Sequence, residues 1–330
     1  MGSNDSPFNM FKIGNVEIES KVILAPMAGV TSLAYRNFMK PFGVGLTVTE
    51  MVSDCGLIYE NKKTLDYIKT TEQERPIAIQ LFGSNSETII KAMKIVEKEN
   101  PNFDFFDINL GCPVPKVTKA GSGSALLKNP AKLGQMFKEI CSSTTKPVTA
   151  KIRLGWSDDS INFLENIKAL EEAGVAAIGI HARTTAQSYS GKARYELLKD
   201  LRDKMSVPLF VSGDIYTLDD AINALEITKA DGVMVARGGV GNPQLVRQVD
   251  HYFKTGERLP NSTLQENIQY LREFSNMLIE EKGEYKAMSI LRGIAPKFLD
   301  GFPGMKPYKN KLAQSLVTKA SLERILSEIR

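Results

Sequence analysis

Eight short runs rich in β-branched and aliphatic residues recur across the first 240 positions, each followed by a helix-like pattern, and this alternation constrains the fold more than any other feature. The runs are Val22–Leu24, Leu46–Thr49, Ile77–Leu81, Phe105–Ile108, Val148–Ile152, Ala177–Ile180, Leu209–Val211 and Gly232–Val235. Between them, Ser86 to Lys98 reads as an amphipathic helix with a Ser cap, and Ser160 to Ala173 as one that stops at Gly174. Ahead of the first run, Phe11 to Glu19 alternates around Gly14-Asn15, which predicts a hairpin closing a barrel floor.

Eight βα units predict an α/β fold, a closed (β/α)8 TIM barrel of about 250 residues. With 330 residues there is room for a second unit, so the expected division is a barrel over 1–250 and a smaller all-helical C-terminal domain over 251–330. Leu264 to Glu281, Tyr285 to Leu299 and Leu312 to Ile329 fit helices there. Hydrophobic residues at 42% and charged residues at 24% support a large core rather than disorder.

A barrel builds its active site at the C-terminal ends of its strands. Those ends carry Ala25-Pro26-Met27, Glu50, Gln80, Asn109 with Cys112, Lys151 with Arg153, His181 with Arg183, Ser212-Gly213-Asp214 and Ala236-Arg237-Gly238. Packing alone does not explain a ring of amides, cations and a thiol at nearly every strand end.

The turns after strands seven and eight, at Gly213 and Gly238-Gly239, suit a cofactor phosphate beside the Arg237 cation, and they equally suit tight turns alone. Lys151 fits a cation that stabilises a reduced flavin; a Schiff-base lysine is the competing role. Gln80 offers a donor and an acceptor to a flavin edge, while Pro26-Met27 offers an apolar contact. Cys112, on a Gly/Pro loop near Lys116 and Lys119, is a candidate acid or nucleophile, whereas Cys55 and Cys141 read as inert small hydrophobes. His181 and Arg183, two apart, are expected on one side of the chain, facing the pocket.

The net charge of +4 is unevenly placed, because residues 1–245 hold 28 basic and 28 acidic groups and residues 246–330 hold 14 and 10. From Lys286 to Lys319, seven basic residues including Lys306, Lys309 and Lys311 face one acid, Asp300. Such a run is either a polyanion footprint or a solvated helical face. The longest apolar runs are too short to span a bilayer. Three cysteines at unrelated spacings give neither a disulfide framework nor a metal pair, and no signal peptide opens the chain, so a cytoplasmic location is expected, without membrane, metal or obligate protein partner.

Taken together, APMAGVTSLAYR, IQLFGS, DINLGCPVPKV with AGSGSALL, AKIRLGW, IHARTTAQSYSGKA, SGDI and VMVARGGVGNP follow one another from Val22 to Pro243 in an order that resembles the tRNA-dihydrouridine synthases, especially their bacterial B-type branch. The resemblance implies an FMN-bound barrel followed by a helical tRNA-binding domain, reducing the 5,6 double bond of selected tRNA uridines with NADPH. By position it implies FMN contacts from Pro26, Met27, Ala28, Gln80, Asn109, Lys151, His181, Ser212, Gly213, Asp214, Ala236, Arg237 and Gly238. Cys112 would be the general acid, and Asn109 and Arg183 would hold uracil; the basic run, separately, offers Lys306, Lys309 and Lys311 as candidate RNA contacts. One departure is visible: Ser212 stands where the family often has Asn. Another FMN barrel reducing or oxidising a small substrate such as a dihydropyrimidine base, or a non-catalytic RNA-binding protein, is the alternative.

Overall fold

A computed structural model describes residues 10–329; the opening residues, on which the expectation of no signal peptide rests, lie outside the described residues. Eight parallel strands form the barrel: β1 Val22–Leu24, β2 Leu46–Val48, β3 Ile77–Phe82, β4 Phe105–Asn109, β5 Val148–Arg153, β6 Ala177–His181, β7 Leu209–Ser212 and β8 Gly232–Val235. Each pairs with its sequence neighbour, and Val233 opposite Val22 closes the cylinder between β8 and β1. A further two-residue strand, Val52–Ser53, pairs with Leu81 and Phe82 of β3.

Strand alternation sorts the side chains. Val22, Leu24, Ile77, Ile79, Ile108, Ala150 and Ile152 point outward into the core beneath the helices. Ile23, Leu46, Ala78, Phe105, Ala177, Phe210 and Met234 fill the interior with Ile13 and Ile18. Those two isoleucines come from the hairpin Phe11–Ile13 and Val16–Ile18, whose register sets Ile13 opposite Val16 and makes Gly14-Asn15 the turn. Gly14 adopts φ 57°, and a Cβ there would stand 2.7 Å from Pro147.

Helix boundaries differ from the sequence reading where side chains compete for the cap. Asn85, not Ser86, accepts the N–H of Thr88 and starts Ser86–Glu99. Ser160 belongs to a 3-10 turn, and the helix begins at Phe163. Tyr285 to Leu299 is a helix Glu284–Ile294 that tightens into a 3-10 turn, Ala295–Leu299. Leu312 to Ile329 is two helices, Lys306–Gln314 and Lys319–Ser327, because Thr318 and Ser321 form a capping box at the break.

Helix Pro243–Thr255 runs through position 250 and ends at Gly256. The helices beyond pack on the barrel through aromatic rings: Phe274 lies 5.7 Å from Tyr35 and 5.4 Å from Phe38, and Tyr270 lies 5.1 Å from Phe42. Glu281, on helix Leu264–Lys282, accepts the N–H of Ala34 at the start of helix Leu33–Met39.

Candidate active site

The C-terminal mouth of the barrel opens into a cavity of about 370 Å³. Pro26, Met27, Ala28, Gln80, Asn109, Cys112, Lys151, His181, Ser212, Gly213, Asp214, Ala236, Arg237 and Gly238 all line it. Residues from all over the chain thus meet in one place because each sits at or just beyond an inward-facing strand end.

Lys151 enters between β4 and β6. Its register partner on β6 is Gly179, where an added Cβ would lie 3.0 Å from Met234 Sδ and 3.6 Å from Lys151 Cγ, so the missing side chain makes the room. Burial, and then the neighbouring Arg153 charge, push the ammonium down to about 8, while Asp107 and Cys112 pull the other way.

The cysteine loop is held from two sides. Asn109 Oδ1 accepts the N–H of Cys112 at 2.9 Å and that of Gly111 at 3.2 Å. The Cys112 carbonyl accepts both the hydroxyl and the N–H of Ser124, and Gly123, at φ 60°, sits against it. The AGSGSALL continuation therefore clamps the loop that carries the thiol. Arg153, 1% exposed, donates to the carbonyls of Gly111, Thr184 and Ser188, joining the cysteine loop to the loop after β6.

Arg183 departs from expectation. It is 1% exposed and does not line the cavity; its guanidinium donates to Asp214, Ser190, Gly191 and His181 Nε2. Strand β6 ends at His181, and the Arg183 N–H turns back to the His181 carbonyl at 2.7 Å, which breaks the alternation. The geometry makes Arg183 a prop. Because its guanidinium can only donate, His181 Nε2 accepts and Nδ1 carries the proton. Burial and four nearby cations hold that imidazole well below its usual pKa and hence neutral.

At the expected phosphate end, the N–H groups of Gly213 and Asp214 donate to no protein acceptor among the described residues. A Cβ at Gly238 would lie 2.0 Å from the Ile215 carbonyl, so this turn is closely packed as well. Burial pushes Asp214 up, but the Ala193 N–H and Arg183 outweigh it and hold the carboxylate below its ordinary range. Arg237 approaches Asp214 at 3.5 Å and remains half-exposed, free to meet an anion. These features fit a flavin that carries a phosphate, with cations and amides along the ring end and bare N–H groups at the phosphate end.

Tyr189 and Met51 also line the cavity and escaped the sequence reading. The Tyr189 ring lies under Arg153 at 5.5 Å and Arg237 at 5.2 Å. Its motif, TTAQSYSGKA, was the available signal. Lys306 lies exposed on helix Lys306–Gln314, whereas Lys309 is ion-paired with Asp300 and Lys311 with Glu328. No group of three or more metal-ligating side chains occurs among the described residues, and no helix there is long and apolar enough to cross a membrane.

A (β/α)8 barrel with such a donor-lined mouth is a barrel oxidoreductase of the flavin-dependent class. Residues 23–329 match the family model described as dihydrouridine synthase, and the chain belongs to that family. It is 35% identical to a probable tRNA-dihydrouridine synthase of Rickettsia bellii over 91% of this chain and 92% of the relative. Against tRNA-dihydrouridine synthase B of Pseudomonas putida, identity is 34% over 97% of this chain and 95% of the relative. Among solved structures, an old yellow enzyme homologue from Zymomonas mobilis superposes with TM-score 0.54 at 12% identity, covering 79% of this chain and 96% of that one, which supports the fold alone.

Proposed function

We propose that this chain reduces uridine in tRNA to 5,6-dihydrouridine with FMN as its resident cofactor and NADPH as reductant. The observation that carries the reading is the convergence of Cys112, Asn109, Lys151, His181 and the Gly213–Arg237 end on one barrel mouth in a member of this family. When bound by Gln80, Lys151 and the Gly213–Arg237 end of the mouth, FMN would supply hydride chemistry, carrying reducing equivalents from NADPH to C6 of the uracil. Cys112, on a loop held by Asn109 and Ser124, donates a proton to C5. Asn109 and Lys151 donate toward the pyrimidine and flavin carbonyls and stabilise the charge that develops there. Tyr189 forms part of the cavity wall.

A base stacked in folded RNA does not reach a barrel mouth, so the target uridine is extruded into the cavity. A groove of about 1020 Å³ leads from Arg237 and Gly238 at that mouth to Lys297, Asp300 and Phe302 on the helical segment beyond residue 250, and offers the RNA strand a path. That segment acts as the tRNA-holding domain, with Lys306, Lys309 and Lys311 near its end. Free thiols and a tRNA substrate suit the cytoplasm.

Purified protein should show an oxidised flavin spectrum, release FMN on heating, bleach with NADPH and recolour with tRNA lacking dihydrouridine. A colourless protein that takes up no FMN, or a reduced one reoxidised only by free pyrimidine base, defeats the proposal.

A further inference from the structure

We infer that Asp107 is a positioning residue that fixes the direction of a buried amide relay, so that Gln80 and Asn109 both turn N–H donors toward the cavity. The inference rests on the flavin reading of that cavity. Asp107 itself lies on β4, one inward position below Asn109, and does not line the cavity.

The relay is determined from both ends. At the outer end, Asn109 Oδ1 faces two backbone N–H groups, those of Gly111 and Cys112, and has to accept. Its Nδ2 therefore donates to Gln80 Oε1, at 2.8 Å. Gln80 Nε2 is then left to donate to Asp107 Oδ2, at 2.6 Å. The other carboxylate oxygen accepts the Thr149 hydroxyl, also at 2.6 Å. Both Asp107 oxygens accept, as an ionised carboxylate does; burial raises its pKa, while these two hydrogen bonds and the Lys151 charge oppose that rise. One hydrogen of each NH2 group remains, and Gln80 and Asn109 both line the cavity. With neutral His181 offering Nδ1–H and Lys151 its ammonium, the polar wall selects a ligand edge rich in carbonyl oxygens.

Asp107 has a second effect that can be measured separately. Its charge opposes burial and Arg153 at Lys151, near which Cys112 and His181 also stand, and so keeps the ammonium protonated to higher pH.

Two substitutions separate these effects. Asp107→Leu removes the acceptor and the charge, and should weaken FMN binding about tenfold or more and raise the flavin carbonyl stretching frequencies. Asp107→Asn still offers Gln80 an oxygen, so it should restore affinity and frequencies while shifting the alkaline limb of uridine reduction to lower pH. A folded Asp107→Leu protein with wild-type FMN affinity and frequencies overturns the inference. The relay is also testable without flavin or substitution. In apo protein labelled with 15N at glutamine and asparagine, one carboxamide hydrogen each of Gln80 and Asn109 should exchange slowly. Exchange as fast as an exposed amide overturns the inference, even where Asp107→Leu does not fold. Failure of the wild-type protein to bind FMN would instead count against the flavin reading, leaving the exchange result to judge the relay.

Discussion

Cys112 and Lys151 are the two residues whose chemistry can be separated by substitution. Cys112→Ala should keep flavin and its reduction by NADPH, yet slow uridine reduction by about 10²–10⁴-fold, the range of a general acid; Cys55→Ala and Cys141→Ala should change little. Single-turnover oxidation of the reduced variant by tRNA at the wild-type rate would remove the thiol from the mechanism. For Lys151 the sign follows from its depressed value: the ammonium is charged below about 8 and neutral above it, so uridine reduction should fall as pH rises through that value. In Lys151→Met the rate should be low throughout, and this limb should vanish. A limb that persists in the variant would assign it to another group. Residues such as Gln80 and Lys151 were legible because strand alternation places them inward. Arg183 misled because the chain turns immediately after His181. The role of Asp107 was hidden because its partners, Gln80 and Thr149, lie 27 and 42 residues away.

Each barrel strand was legible to within about two residues, since its alternation and its flanking turns agree. Helix ends were less so, because a cap is decided by which side chain reaches a free N–H, as Asn85 does ahead of Ser86. The break before Lys319 was masked by apolar spacing that continues across Leu316 and Val317. Long-range anchors leave no local trace at all. Arg36, on helix Leu33–Met39, donates to Glu74 at 2.5 Å and to the Thr31 and Lys69 carbonyls, with both charged side chains buried. Arg36→Met should therefore destabilise the protein by about 3–5 kcal/mol, because it strands a buried carboxylate. Denaturant unfolding of holoenzyme and variant checks this; a loss below about 1 kcal/mol would mean that water reaches Glu74 readily.

At the scale of the whole molecule, the charge excess in the tail was legible but its pairing was not. Lys309 and Lys311 lie beside Asp300 and Glu328, and Lys297 shares Asp300, so part of the basic run is already neutralised within the protein. Exposed ion pairs of this kind contribute about 0–1 kcal/mol, and a phosphate can displace the carboxylate at little cost. Lys306 makes no ion pair among the described residues and is available from the start. Each phosphate contact adds about 0.7–0.9 to the slope of log affinity against log salt. Lys306→Ala should therefore flatten the slope for tRNA by about one unit and the triple alanine variant of Lys306, Lys309 and Lys311 by about two to three. FMN content and NADPH oxidation should not change, since the cavity lies elsewhere. Binding measured at several salt concentrations decides among the outcomes. A triple variant no flatter than Lys306→Ala means that Asp300 and Glu328 keep their lysines when RNA binds. Wild-type slopes in both variants mean that the RNA backbone is held away from helix Lys306–Gln314, with Lys116, Lys119 and Lys128, exposed in the segment that follows β4, as the next cations to replace.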